Sequence, residues 1–257
     1  MLILLPPSEG KSAPESGATL DLAALSFREL TSTREDVLSA LTRLCSGSVP
    51  KAAKVLGLGP TQHGEVGANA RLREEPCSPA IEVYTGVLYE ALDAASLTAA
   101  ARRRLDDQVA IASGLWGLVR PSDPIPSYRL SGGVTLPGLG KLSTFWRPAL
   151  SDVIAQQDGL IIDMRSGAYV ALGPLDDDLA DRAVTVRVLT ERKGKRTVVS
   201  HHNKSTKGHV VRSLVGSRRQ PKSVEDLLDV LTAAGHDVEL TPPAKGPINV
   251  LDVILRD

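Results

Sequence analysis

A chain of 257 residues that is 42% hydrophobic can bury a substantial core, and 30 basic against 30 acidic side chains leave no net charge to draw the whole molecule onto a polyanion. Aromatics are only 3%, so the core is leucine, valine and alanine; two cysteines, Cys45 and Cys77, exclude a disulfide framework and read as reduced thiols. The apolar run at residues 1–7 is too short for a signal peptide or membrane span, which predicts a soluble, cytoplasmic protein without a membrane partner.

Residues 2–5 are continuously apolar and read as a buried strand. The following Pro7-Ser8-Glu9-Gly10-Lys11 suggests a phosphate loop but lacks the G-x-x-x-x-G-K-[ST] spacing. Residues 20–45 have a helical pattern, interrupted at Thr31-Ser32-Thr33, which offers a second N-cap. Within residues 52–69, Leu56-Gly57-Leu58-Gly59 resembles the turn of a helix-hairpin-helix element. Gly57 and Gly59 would let the backbone approach a phosphate and donate N–H groups to it, with Lys51 and Lys54 supplying charge. The plainer alternative is a helix closed by a glycine. Residues 59–80 read as polar and irregular, and residues 83–92 and 96–107 as helices.

Residues 113–130, SGLWGLVRPSDPIPSYRL, follow a short strand at 110–113. Gly114 and Gly117 permit tight backbone, Arg120-Pro121 ends any helix, and Tyr128-Arg129 follows a stiff proline segment. Such a loop suits holding an anion or a base; it is equally a structural loop whose arginines cap carboxylates. Residues 160–163 read as a strand that 166–172 extends or returns from, and 183–190 with 196–201 as a hairpin turning at Lys193-Gly194-Lys195. Residues 206–215 and 224–234 read as helices, the second capped by Ser223 with Asp226 at its third position and stopped by Gly235. Residues 238–240 and 249–255 complete the strands. The fold class is mixed α/β, one domain over residues 1–257.

Two constellations carry chemistry. The basic segment 192–219 holds Lys204, Lys207 and Arg212; with a helix starting near Thr206, Lys207 would oppose the helix dipole in the first turn, which an anion would relieve. Lys11, Tyr84, Arg120, Tyr128, Arg129, Lys204 and Lys207 all fall at loops or element ends, and could converge where strands of an open sheet end. Alanine at Arg129 or Lys207 would then impair function with folding nearly intact. No nucleophile elbow, Walker loop, dinucleotide fingerprint or zinc spacing is present, and His201-His202 would face opposite ways in a strand, so no metal and no cofactor are expected.

The block at 113–130 resembles the central signature of the YaaA peroxide stress resistance family, which typically reads LSGLYGVLRPLD and then PYRLEMG. Val83-Tyr84-Thr85-Gly86, residues 142–146 (LSTFW), the Lys204, Lys207, Gly208, Arg212 spacing and residues 1–11 are similar to further blocks of that family in the same order. Ser131 and Gly132 replace the family's glutamate and methionine, and Arg165 appears in the block at 163–167, which marks a divergent branch.

The resemblance implies protection against hydrogen peroxide, with DNA binding and limitation of iron-driven damage. Two readings follow. One is a stress-response protein that binds DNA through the hairpin and a basic cleft. The other is an enzyme acting on a nucleotide or other phosphorylated small molecule, with Lys11, Tyr84 or Tyr128 as catalytic candidates and a lysine lowering a phenol's pKa.

Overall fold

The computed structural model describes residues 1–198 and 203–256; the His201-His202 pair and the predicted strand beyond residue 198 lie outside them. Among the eight described strands of the main sheet, the continuous apolar runs take central places, because a strand buried on both faces needs no alternation, whereas the polar Lys195–Val198 strand is exposed. The eight are β1 (Leu2–Leu5), β2 (Val109–Ser113), β3 (Gly117–Val119), β4 (Ile161–Asp163), β5 (Ala183–Arg192), β6 (Lys195–Val198), β7 (Val238–Thr241) and β8 (Asn249–Arg256). The sheet runs β7-β8-β5-β4-β1-β2-β3, with β6 also paired to β5. Strands β8, β5, β4, β1 and β2 are mutually parallel, with Leu4 opposite Ala110 on one side and Asp163 on the other.

The helices are α1 (Thr31–Cys45), α2 (Val49–Leu56), α3 (Gly64–Ala70), α4 (Val87–Leu92), α5 (Ala99–Gln108), α6 (Leu142–Ala155), α7 (Asn203–Gly216) and α8 (Val224–Ala233), beside shorter turns. α1 packs on α2 and α3, and α7 packs on α4, α5, α8 and β5. One contiguous apolar core reaches from Leu2 to Val253.

Local chemistry sets the element ends. Lys193 and Gly194, with φ of 51° and 75°, form the two-residue turn between β5 and β6. Ser223 Oγ accepts from the Asp226 N–H at 3.2 Å, and Gly235 follows α8 with φ 86°. Other boundaries differ from expectation. The interruption before α1 falls at Phe27, φ 55°, between two single turns, and Thr31 lies inside the helix. The expected helix at 83–92 is broken at Tyr84-Thr85-Gly86, where Gly86 has φ 95°. The segment 59–80, expected irregular, contains α3. As described, α7 already includes Asn203 and Lys204, ahead of the start expected near Thr206, so Lys207 lies beyond the helix's first turn.

From β1 the chain moves to β2 and β3 at one edge, then returns to β4 on the other side of β1. Connections therefore leave β1 and β4 in opposite directions, which opens a crevice beyond their carboxyl ends. Residues 6–11, Ser113 and residues 163–165 meet there.

Candidate functional site

The floor of this crevice is a buried hydroxyl chain. Tyr84 Oη and Tyr128 Oη lie 2.8 Å apart, and Tyr128 Oη lies 2.7 Å from Ser113 Oγ. Ser113 Oγ also accepts from the Leu115 and Trp116 N–H groups at 3.1 and 2.8 Å. Those bonds use both its lone pairs, so its own hydrogen goes to Tyr128, whose hydrogen then goes to Tyr84. Gly114 makes the geometry possible: a Cβ there would come within 2.7 Å of the Leu130 carbonyl oxygen. Burial pushes the Tyr84 and Tyr128 phenols well above their ordinary range. This corrects the expectation that a lysine lowers a phenol's pKa: both stay neutral and act as hydrogen-bonding groups.

Lys11 lies over this floor. Its backbone bridges to Tyr84, and its Nζ sits 4.3 Å from the Tyr128 ring centre and 5.4 Å from that of Tyr84. The Nζ donates to the Ser8 carbonyl at 3.0 Å. Burial pulls the Lys11 ammonium down to about 8, helped by Arg129 and opposed by Glu9 and Glu65. A polar cavity of about 360 Å³ opens at Lys11, with Thr61, Gln62, Gly64 and Glu65 among its walls.

Arg129 stands on the same rim. Its guanidinium donates to the Glu9 carbonyl at 2.8 Å and pairs with the Glu9 carboxylate at 3.2 Å. Its backbone is held by the buried side chain of Asn69 in α3. Arg129 and Glu9 share a shallow groove of about 750 Å³ with Lys54 and Gly57. Lys51 and Lys54 are exposed on α2. Gly57 closes α2 at φ 69° with open space where a Cβ would stand, so the plainer glycine-cap expectation holds locally. After Gly57, Leu58 and Gly59 the chain turns into α3, giving two short helices joined by a tight turn.

The remaining candidates separate. Lys204 is exposed beside a smaller cavity of about 230 Å³ formed by residues 6–10 and 85–89. Lys207 is only 7% exposed and donates to the Met164 carbonyl at 2.9 Å in the crevice between β1 and β4. Its truncation would strand a buried acceptor, so the expectation that Lys207→Ala spares folding is corrected. Arg212 ties α7 to the end of α4 through the Leu92 and Asp93 carbonyls, both at 2.8 Å. Arg120 is at the opposite end of the strands: it donates to the carbonyl of Val109, the first residue of β2, and stacks on Phe27. It therefore does not join the cleft expected from its loop position. Arg165 is buried in a two-point pair with Asp163, with contacts of 2.9 and 2.7 Å.

Sequence reading missed Asn69 and Ser113 as site residues. Asn69 pairs with a backbone 60 positions away, and no local spacing signals that. Ser113 was visible as a strand end. Cys45 and Cys77 are free and buried, and burial raises both thiols, Cys77 to about 11. Among the described residues no group of three or more His, Cys, Asp or Glu is placed to hold a metal ion, and no helix is long and apolar enough to cross a membrane.

The fold and site define a class: an α/β protein whose parallel strands end in a crevice floored by neutral phenols and rimmed by cations. Residues 1–239 match the family model described as peroxide stress protein YaaA, and the chain belongs to that family. It is 50% identical over 248 residues to a UPF0246 protein of Streptomyces coelicolor, covering 96% of this chain and 95% of that protein. It is 43% identical over 256 residues to a UPF0246 protein of Corynebacterium glutamicum, covering 98% of this chain and 100% of that one. The corresponding protein of Corynebacterium efficiens is 44% identical over the same length and coverage.

Proposed function

We propose that this protein acts in peroxide stress by binding DNA without sequence preference, seating the sugar–phosphate backbone on the α2–α3 turn and the groove beside it. The observation that carries this reading is the shared groove of Gly57, Lys54 and Arg129, open to solvent with no Cβ in its way. The turn's donors are less free than the sequence suggests. Gly57 N–H goes to the Ala53 and Lys54 carbonyls, and Leu58 N–H to Ala53 at 2.9 Å. Gly59 N–H goes to the Gln62 side chain at 3.2 Å, and that amide can swing aside for a phosphate. Cations then supply most of the affinity, and no base-reading helix is required.

The test is the salt dependence of duplex affinity. Neutralising roughly 3–5 phosphates gives a slope of log K on log[salt] of about −3 to −4. Lys51→Ala with Lys54→Ala should weaken binding and reduce the slope by about 1–2. A flat salt response would overturn the reading.

A second reading, a nucleotide or other phosphorylated small molecule bound at Lys11, is favoured by the 360 Å³ cavity beside that amine. Nucleoside monophosphates that protect Lys11 from amine-directed labelling, with no salt-dependent duplex binding, would select it over the first.

A further inference from the structure

We propose that Lys11 forms an imine with the C1′ aldehyde of an abasic deoxyribose in DNA; this rests on the DNA reading above and names the lesion that its cleft takes. Three features of the geometry lead there. The Lys11 amine makes a single hydrogen bond, to a carbonyl, and among the described residues no carboxylate lies within ion-pair reach of it. A lysine serving only to balance buried charge would sit against an acid. Its nitrogen instead lies against the faces of two neutral phenols, at the wall of an open polar cavity.

That cavity shares Thr61, Gln62 and Gly64 with the turn proposed to seat the backbone. A sugar attached to a phosphate held at the turn is therefore delivered toward the amine. An abasic sugar has no base to unstack or to collide with the cleft walls, so it turns inward at the least cost. The low proton affinity of the buried ammonium supports the chemistry, since the neutral amine is the attacking form and is present near neutral pH.

The step balances without a co-reactant. The Nζ lone pair adds to the C1′ carbonyl carbon of the ring-opened sugar, and the carbonyl π pair moves to oxygen. Both N–H hydrogens leave with that oxygen as water, and a C=N bond joins Lys11 to the sugar. Borohydride delivers hydride to the imine carbon and a solvent proton completes a stable secondary amine.

The experiment incubates the full chain with a duplex carrying one abasic site, in the presence of sodium cyanoborohydride, and maps the adduct by peptide mass. A parallel duplex carries tetrahydrofuran, which has the same backbone and no aldehyde. The expected result is binding of both duplexes and a covalent product on the abasic one alone, located at Lys11. Lys11→Arg keeps a cation but cannot form an imine, and should lower the adduct yield at least 100-fold at an unchanged melting temperature. Binding of both duplexes with no adduct, or an adduct mapped elsewhere, would overturn the imine and leave the DNA reading standing. Absence of binding to either duplex would overturn the DNA reading and this inference together.

Discussion

The side-chain amide of Asn69 is bonded twice to the backbone of Arg129: its Oδ1 accepts from the Arg129 N–H at 2.9 Å and its Nδ2 donates to the Arg129 carbonyl at 2.8 Å. Asn69 thus imitates a strand neighbour and locks α3 to the loop that carries the guanidinium. The α2–α3 turn and Arg129 are held as one surface by this contact.

Asn69→Ala should cost about 2–4 kcal/mol, because it strands a donor and an acceptor of the Arg129 backbone. Chemical denaturation measures this. If the DNA reading holds, the same variant weakens duplex binding several-fold although it removes no charge. Unchanged stability would mean that the amide is not the clamp described.

Lys11→Met should gain stability relative to the wild type at pH 7, and that gain should shrink by about 3 kcal/mol toward pH 10. An ordinary lysine titrates at 10.5, whereas Lys11 gives up its proton near 8 in the fold. Below pH 8 both states are protonated and the fold carries the full cost of the desolvated charge. Between the two values the unfolded chain holds more protons, so wild-type stability rises with pH. Above both, the cost is gone. Glu9, Glu65 and Arg129 are the charged groups that modulate it. Melting curves at pH 7 and pH 10 decide the matter; a constant difference would refute the assignment.

Gly208→Ala should destabilise by about 2 kcal/mol or more, and more than Arg212→Ala does. A Cβ at Gly208 would run into the Leu88 carbonyl oxygen and within 2.8 Å of Ala91 Cβ, both on α4. The carbonyl is backbone and cannot give way without separating the two helices. Arg212 loses carbonyl contacts that water can replace at a partly exposed rim. Urea denaturation of the two variants tests the order.

The strands and caps were legible because their causes are local. Leu2–Leu5 is apolar without alternation, Lys193-Gly194 has the chemistry of a two-residue turn, and Ser223 stands three residues before an acidic third position. Lys11, Tyr84, Tyr128 and Arg129 were legible as candidates, since each follows a strand or a stiff loop. Their grouping with Arg120 was not, because β3 runs antiparallel to β2 and so carries Arg120 back to the opposite end of the sheet, which the loop's residues do not signal. Lys207 reads as a surface cation in the sequence pattern; in the fold its neighbour Gly208 packs closely on α4 and its amine reaches the Met164 carbonyl. Asn69 had no local signal.

The hydroxyl chain predicts an order of effects that its hydrogen positions impose. Ser113 spends both lone pairs on the Leu115 and Trp116 N–H groups, so it can only donate to Tyr128. Tyr128 is then acceptor and donor at once, and Tyr84 is the end of the chain. Tyr128→Phe removes the middle member and leaves the buried Ser113 hydroxyl without an acceptor, at a cost of about 2–3 kcal/mol. Tyr84→Phe removes the last acceptor, and the Tyr128 proton loses one partner, at a cost of about 1 kcal/mol. The double variant should cost less than the sum by about 1 kcal/mol, because the contact between the two phenols is counted in each single variant. Denaturant melts of the four proteins close the cycle. Strict additivity would show that the two phenols are not coupled, and a larger loss at Tyr84 than at Tyr128 would refute the order described.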